Sequence, residues 1–226
     1  MPRPIHLHPT AEPAGRALLP GDPGRALLLA QELLDQPRMF NHNRGLWGYV
    51  GAAADGERLL IQSTGMGGPS AAIVLEELCD LGVERAVRVG TCGALDAGLE
   101  LADLVVAREA LCADGTSRAL GAGERAAASA SLAPEGRPGL VVSTDLFYDP
   151  DPAREDAWRA AGALAVEMET AALLTVGARR GIEVASVLAV SDVLAGGRRR
   201  LGDEALVEAS RRVGRAGAAA LLGQPS

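Results

Sequence analysis

Lysine is absent from the chain, and all 22 basic residues are arginine. Without a primary side-chain amine there is no P-loop lysine and no residue for a pyridoxal or aldolase-type Schiff base. Aromatic residues make up only 3% of the sequence, so the core must be built from Ala, Leu and Val, a composition that suits helices packed tightly on a buried parallel sheet. Cysteine is scarce too. Cys79, Cys92 and Cys112 stand apart, with no C-x-x-C pair and no His at ligand spacing, which argues against a disulfide framework or a zinc site and fits a reducing cytoplasm. No apolar run reaches membrane-spanning length, and MPRPIHLHPT lacks the apolar stretch of a signal peptide; the expected location is cytoplasmic, with no membrane partner. The net charge of -7, with no basic stripe, argues against nucleic acid as a partner.

What is present describes an α/β protein. A chain of 226 residues with 48% hydrophobic content can bury one large core, and a single domain over residues 1–226 is expected, since no repeat or linker divides it. Short β-type runs alternate with helical patterns. Strands are predicted at Ala17 to Leu19, Leu46 to Ala53, Arg58 to Ser63, Ala86 to Val89, Leu104 to Ala107, Leu140 to Ser143, Ala163 to Val166 and Val184 to Val190. Helices are predicted at Pro23 to Leu34, Pro69 to Leu81, Pro152 to Ala161, Thr170 to Arg180 and Asp203 to Leu222. Ser70 is expected to accept an orphan N–H at its helix start, with Gly82 and Gly181 closing helices. The segment Gly115 to Gly139 lacks a strong period and reads as a surface excursion with a weak helix.

Ligands of open α/β sheets sit at the carboxyl ends of strands, which directs attention to the residues just past each run. Leu18-Leu19-Pro20-Gly21-Asp22-Pro23-Gly24-Arg25 passes from strand through a glycine turn into a helix, where backbone N–H groups and the Arg25 guanidinium form an anion site; a solvated surface arginine is the plainer reading. Arg88 alternates with Val87 and Val89 in a core strand, a costly place for charge unless a ligand or a structural carboxylate answers it, and Thr91 follows. Leu164-Ala165-Val166-Glu167-Met168-Glu169-Thr170 ends a strand in two acids, which share a side only if the strand persists. Val187-Leu188-Ala189-Val190-Ser191-Asp192 ends in a carboxylate, either a general acid or a turn residue. Arginines at some strand ends and acids at others imply one pocket with an anionic half and a polyhydroxylic half, suited to a phosphate and a sugar. Thr64-Gly65-Met66-Gly67-Gly68-Pro69-Ser70 adds a glycine turn that lets backbone approach a ligand, without the spacing of a dinucleotide fingerprint.

The ordered set Gly21-Asp22-Pro23-Gly24-Arg25, Asn43-Arg44-Gly45-Leu46-Trp47-Gly48-Tyr49, Thr64-Gly65-Met66-Gly67, Arg88-Val89-Gly90-Thr91-Cys92-Gly93, Ser143-Thr144-Asp145-Leu146-Phe147-Tyr148, Val166-Glu167-Met168-Glu169 and Ser191-Asp192 resembles the nucleoside phosphorylase-I family, and within it the bacterial hexameric purine nucleoside phosphorylases. The resemblance runs from His6 to about Asp192. It implies a three-layer α/β domain around a mixed, partly barrel-like sheet, assembled as a trimer of dimers, with inorganic phosphate as co-substrate and no cofactor or metal. By position, Gly21, Arg25, Arg88 and Thr91 would hold phosphate, and Arg44 would reach it from a neighbouring subunit. Met66, Met168 and Glu169 would grip the ribose, with His6 (or His8, close by in sequence) at the 5′-hydroxyl of the adjacent subunit's site. Phe147 would stack on the base beside Tyr148, Val166 and Glu167 would line the pocket, and Ser191 and Asp192 would face the purine, Asp192 as the acid. The segment Ala195-Gly196-Gly197-Arg198-Arg199-Arg200 is shorter than its counterpart in many relatives, and one of its arginines is a candidate to assist Asp192; a solvated basic loop is the alternative.

Other activities fit less well. A uridine phosphorylase resembles a chain with an inserted Gln-and-Arg segment between Phe147-Tyr148 and Glu167, where only Asp149 to Val166 stand here. A hydrolytic nucleosidase needs no arginine cluster. A non-catalytic nucleoside-binding protein on the same scaffold would be marked by loss of Arg88, Glu169 or Asp192, all of which are present.

Overall fold

The computed structural model describes residues 4–194 and 198–222; Ala195 to Gly197, predicted as part of a loop, lie outside the described residues. The chain opens with β1 (Arg16–Leu19), α1 (Pro23–Leu33), β2 (Asp35–Asn41), a 3-10 turn at Asn43–Gly45, β3 (Gly48–Ala52), β4 (Arg58–Gln62) and α2 (Gly68–Asp80). It continues through β5 (Arg85–Ala94), β6 (Leu104–Cys112), α3 (Gly115–Ala119), β7 (Arg125–Ala127), β8 (Arg137–Ser143) and α4 (Ala153–Ala160). The last elements are β9 (Ala163–Glu167), α5 (Thr170–Arg180), β10 (Glu183–Val193), β11 (Arg199–Arg200) and α6 (Asp203–Leu222).

The strands form one mixed sheet that closes on itself over part of its width. β5 runs parallel to β10, β10 antiparallel to β6, β6 parallel to β8, β8 parallel to β9, and β9 antiparallel to β5, which completes a ring. From β5 the sheet extends outward through β1, β4, β3 and β2. Closure removes two sheet edges that would otherwise need cover. One apolar cluster lies beneath α2 and α5, with Val74, Leu78, Leu173 and Val176 against Leu60, Leu188 and Val190. The other lies beneath α1 and α6, with Leu29, Val213 and Leu221 against Leu18, Val87 and Val89. A core so poor in aromatics depends on close approach: a Cβ on Gly217 of α6 would come within 2.4 Å of Val89, so the helix can lie this near the sheet only with glycine there.

The predicted elements are present, with instructive differences. β2 was not predicted; its run Asp35–Asn41 is exposed over most of its length and carries no apolar alternation. The strand expected from Leu46 begins at Gly48, because Asn43–Gly45 turn tightly and Arg44 takes a left-handed backbone with φ 58°. The excursion from Gly115 holds the short α3, as expected, but also β7 on the edge of β6 and the start of β8. Ser70 does not cap α2: its hydroxyl donates to the Thr64 carbonyl at 2.5 Å, and Gly67 occupies the N-cap. Gly181 does close α5 in the left-handed conformation, and Gly82 follows α2 with φ 96°. Among the described residues no helix is long and apolar enough to cross a membrane.

Candidate active site

The strand ends converge on one cavity of about 840 Å³, a volume typical of small-molecule sites. Its floor is set by strand register. Leu19, the last residue of β1, pairs with Arg88 of β5, so the turn that begins at Pro20 starts beside Arg88 in the sheet. Ala86 and Cys92 of β5 belong to the cluster under α2 and α5, and two-residue periodicity sends Arg88 and Gly90 to that same face. Gly90 leaves room for the guanidinium: a Cβ there would stand 2.8 Å from Arg88 Cζ.

Arg88 is both anchored and incomplete. Its Nε donates to Glu167 Oε2 at 2.9 Å and its Nη2 meets Glu169 Oε2 at 2.5 Å, so the structural-carboxylate reading holds in part. Yet Nη1 is buried without a hydrogen-bond partner among the described residues. Burial opposes its charge, but Glu169 and Glu167 outweigh that and raise its pKa. Arg25, half-buried, donates from Nε to Ser210 Oγ of α6 at 3.1 Å and forms no ion pair among the described residues. Burial, then repulsion from Arg88, lowers the Arg25 pKa and outweighs the opposing pull of Asp22 and Glu169, and both guanidiniums line the same cavity. That is the arrangement an anion stabilises. The backbone N–H of Arg25 is already taken by the Asp22 carboxylate at 2.6 Å, so this helix start offers less to a ligand than the sequence implied.

The two acids after β9 serve different ends. β9 stops at Glu167 and α5 begins at Thr170, so period-2 geometry does not align them; both reach Arg88 from their own directions. Glu167 accepts from the Ser143 hydroxyl, from the Glu169 and Thr170 N–H groups and from Arg88, which consumes its lone pairs within the protein. Its carboxylate is therefore an internal brace rather than a group free to take a ligand hydroxyl, although the residue does line the cavity. Glu169 accepts from the Gly67 N–H at 2.6 Å, forms an ion pair with Arg88, and retains acceptor capacity. Burial, reinforced by the charge of Glu167, raises its pKa above the ordinary carboxylate range despite Arg88.

At the opposite wall, the pairing of β10 with β5 slips between Val190 and Asp192. This bulge inserts Ser191 as an extra residue and re-aims Asp192 toward the cavity. Asp192 is 4% exposed. Its Oδ1 accepts from Arg198 Nε at 3.0 Å and forms an ion pair with Arg200 Nε at 2.8 Å, and its Oδ2 accepts from the Ser191 hydroxyl at 2.8 Å. Arg199 turns away to Glu100. Phe147 and Tyr148 stand edge-to-face with ring centroids 5.0 Å apart, and the Arg198 guanidinium lies 5.1 Å from the Phe147 centroid. Cys92 also reaches the wall, but burial drives its thiol far up, which removes it as a nucleophile.

The phosphorylase superfamily profile matches residues 16–223 of this chain. The chain belongs to the phosphorylase superfamily. It is 36% identical over 205 residues to a DeoD-type purine nucleoside phosphorylase of Caldanaerobacter subterraneus subsp. tengcongensis, covering 84% of this chain and 88% of that one. A guanosine phosphorylase of Halorubrum lacusprofundi is 38% identical over 199 residues, covering 83% and 82%. Among solved structures, uridine phosphorylase from Vibrio fischeri complexed with 6-hydroxy-1-naphthoic acid superposes with a TM-score of 0.83 at 29% identity, covering 94% of this chain and 93% of that one.

Within this superfamily chain, Gly21, Arg25, Met66, Arg88, Thr91, Phe147, Tyr148, Val166, Glu167, Met168, Glu169, Ser191 and Asp192 all line the one cavity. Arg44 and His6 do not. These are the two residues whose expected role lies in a neighbouring subunit. Arg44 is exposed, and no hydrogen bond or ion pair to it is present among the described residues. His6 is oriented by Glu77, whose Oε1 meets its Nδ1 at 2.7 Å, whereas the His8 ring reaches only the Ile5 carbonyl at 3.3 Å. Burial works against the Glu77 charge, but the donors from Leu7, His6 and Ile5 prevail and lower its pKa. Ser143 and Gly90, which stand in the quoted motifs without an assigned role, and Ser210, which the sequence did not single out, hold Glu167, Arg88 and Arg25 in place. Only Gly90 carries a local sign, an isolated glycine in a core strand.

Proposed function

We propose that the chain is a purine nucleoside phosphorylase, a pentosyltransferase that cleaves purine ribo- or deoxyribonucleosides with inorganic phosphate to free base and (deoxy)ribose 1-phosphate. The observation that carries this reading is the pair of guanidiniums at the cavity floor, Arg25 and Arg88, which repel one another, with Arg88 Nη1 buried and without a hydrogen-bond partner among the described residues. A phosphate there satisfies that donor and offsets the charge of Arg25. The DeoD-type relatives support the purine as substrate.

The chemistry follows from charge development. A phosphate oxygen, held by Arg25, Arg88, Thr91 and the Gly21 turn, forms a bond to C1′ as the bond from C1′ to N9 breaks. The sugar passes through an oxocarbenium-like state, which the phosphate anion beneath it stabilises, and the departing base accumulates negative charge. Asp192 serves as the acid that delivers a proton to N7. Arg198 and Arg200 then face the carboxylate that remains, which favours the transfer. Glu169 accepts from the ribose hydroxyls, with Met66 and Met168 against the sugar and Phe147 beneath the base. No cofactor is required.

The same reading assigns Arg44 and His6 to the site of an adjacent subunit in a homo-oligomer, a hexamer by resemblance to the bacterial enzymes, acting in purine salvage in the cytoplasm. The left-handed backbone of Arg44 and its exposed guanidinium, without a partner among the described residues, support this, since strain of that kind is kept where a contact rewards it. Uridine phosphorolysis is the second reading, favoured by the Vibrio fischeri structure. Release of base from adenosine, inosine, guanosine and uridine, with and without phosphate, decides between them. Purine release that requires phosphate is expected; release that persists undiminished without phosphate, or from uridine alone, overturns the proposal.

A further inference from the structure

The segment from Ile5 to His8 belongs to no helix or strand, yet each of its backbone N–H groups is held by a side chain. Glu77, near the end of α2, does most of this. Its Oε1 accepts from the Ile5 N–H at 3.1 Å, its Oε2 from the Leu7 N–H at 2.7 Å, and the two oxygens share the His6 N–H at 2.9 and 3.1 Å. Successive amides thus close around one carboxylate, the concave arrangement that suits an anion. The Leu7 side chain is fully buried in the cluster beneath α2 and α5, the Asn43 amide donates to the His6 carbonyl at 2.8 Å, and Asn41 Oδ1 accepts from the His8 N–H at 2.8 Å. His6 therefore stands on a fixed base, tied through Asn43 to the turn that carries Arg44.

The same carboxylate takes the His6 ring, with Oε1 and Nδ1 2.7 Å apart, and an ionised carboxylate only accepts. Nδ1 must carry the proton of a neutral ring, because the tautomer of an imidazole is set by the partner of its bound nitrogen. Nε2 is left with no partner among the described residues, on a side chain that keeps 28% of its surface accessible. His8 has no such support, since its ring meets only the Ile5 carbonyl at 3.3 Å. We propose that Glu77 is the positioning residue for the 5′ end of the nucleoside: it fixes both the place of His6 and its tautomer, so that Nε2 accepts a hydrogen bond from the 5′-hydroxyl. The proposal rests on the reading of His6 as a contributor to the adjacent subunit's site, and it defines the ligand class as nucleosides with a free hydroxyl at C5′. An ether, a thioether or a methyl group there offers Nε2 no donor.

The test compares kcat/KM at saturating phosphate for inosine and 5′-deoxyinosine in the wild-type protein, His6→Ala, Glu77→Gln and the double variant. The wild type should prefer inosine by roughly 10- to 100-fold, since a site built to receive a hydroxyl rejects the analogue that lacks it. Glu77→Gln, whose amide presents one acceptor oxygen and one donor, should lose at least about five-fold of that preference while its use of 5′-deoxyinosine changes little. His6→Ala should bring the ratio close to unity, and adding Glu77→Gln should change it no further. Loss of both substrates in proportion in Glu77→Gln makes Glu77 a structural anchor only and overturns the proposal, as does a preference that is abolished in His6→Ala but intact in Glu77→Gln. A preference that His6→Ala leaves unchanged overturns the adjacent-subunit reading of His6, and the role of Glu77 with it. A long-range 1H–15N spectrum of wild-type protein labelled at its three histidines, recorded at alkaline pH and assigned against His6→Ala, depends on neither turnover nor the folding of Glu77→Gln. It should show His6 protonated on Nδ1; a ring protonated on Nε2 overturns the proposal. If the Nδ1 tautomer is found while no nucleoside is cleaved, the hold of Glu77 on His6 stands and the phosphorylase reading falls.

Discussion

Replacing Arg88 by Met separates the role of this residue in the anion site from its role in the core. The substitution keeps an unbranched apolar stem in the space beside Gly90 and removes the guanidinium. Two consequences follow, and they differ in size and in assay. The buried Nη1 has no partner among the described residues, so a phosphate oxygen there gains a hydrogen bond to a charged donor, worth about 1.5–3 kcal/mol, or roughly 10- to 150-fold in Kd. The variant should lose at least that factor in phosphate affinity by calorimetry. In the wild type, phosphate at about 100 times its Kd should stabilise the fold by about 2.7 kcal/mol, and in the variant the same concentration should do far less. Separately, the loss strands buried carboxylates, at about 3–5 kcal/mol in denaturant unfolding. This falls chiefly on Glu169, because Glu167 keeps the Ser143 hydroxyl and the N–H groups of Glu169 and Thr170. A second substitution, Glu169→Gln, should recover part of that stability without restoring phosphate binding. An Arg88→Met protein that binds phosphate as tightly as the wild type refutes the anion site outright.

Asp192→Asn should lower turnover on purine nucleosides by ~10²- to 10⁴-fold while the KM for phosphate moves little, and unchanged kcat in steady-state assays removes Asp192 from the reaction. Glu169 has a raised pKa, through burial and the charge of Glu167, and must be ionised to accept from the ribose. Nucleoside affinity should therefore decline as pH falls through a value above the ordinary carboxylate range, and a KM profile of Glu169→Gln should be flat there; an acid limb that survives the substitution belongs to another group. Arg44→Ala and Asp192→Ala should each be inactive alone, yet regain activity when mixed under conditions of subunit exchange, because one mixed site then carries both native residues. Absence of complementation in a demonstrated hetero-oligomer places Arg44 within its own subunit's chemistry or outside it altogether.

Much of this was legible in the linear chain because the signals concerned are local. Alternation of β-type and helical runs located most elements of the ring and its covering helices, and the residues that close each strand were the right places to look. Elements with no apolar rhythm escaped: β2 and β7 are held by neighbouring strands, not by their own composition. The supports of the site escaped for a different reason. Ser210 meets Arg25 across 185 positions with nothing in its surroundings to mark it, and Ser143, which opens a quoted motif, meets Glu167 across 24 with nothing local to name that partner.

The sequence by itself determined the class of molecule: an acidic, lysine-free α/β chain whose core had to be aliphatic, whose cations had to be guanidiniums, and whose ordered motifs placed it in one family. Tertiary structure alone decided how those charges divide their work. Whether Glu167 braces or binds, which arginine after Asp192 faces the cavity, and whether Arg88 is spent or still holds a free donor are matters of distance and direction across strands that closure of the sheet brings together. A hydrogen bond depends on ångström separations between residues far apart in the chain, and no local pattern carries that information.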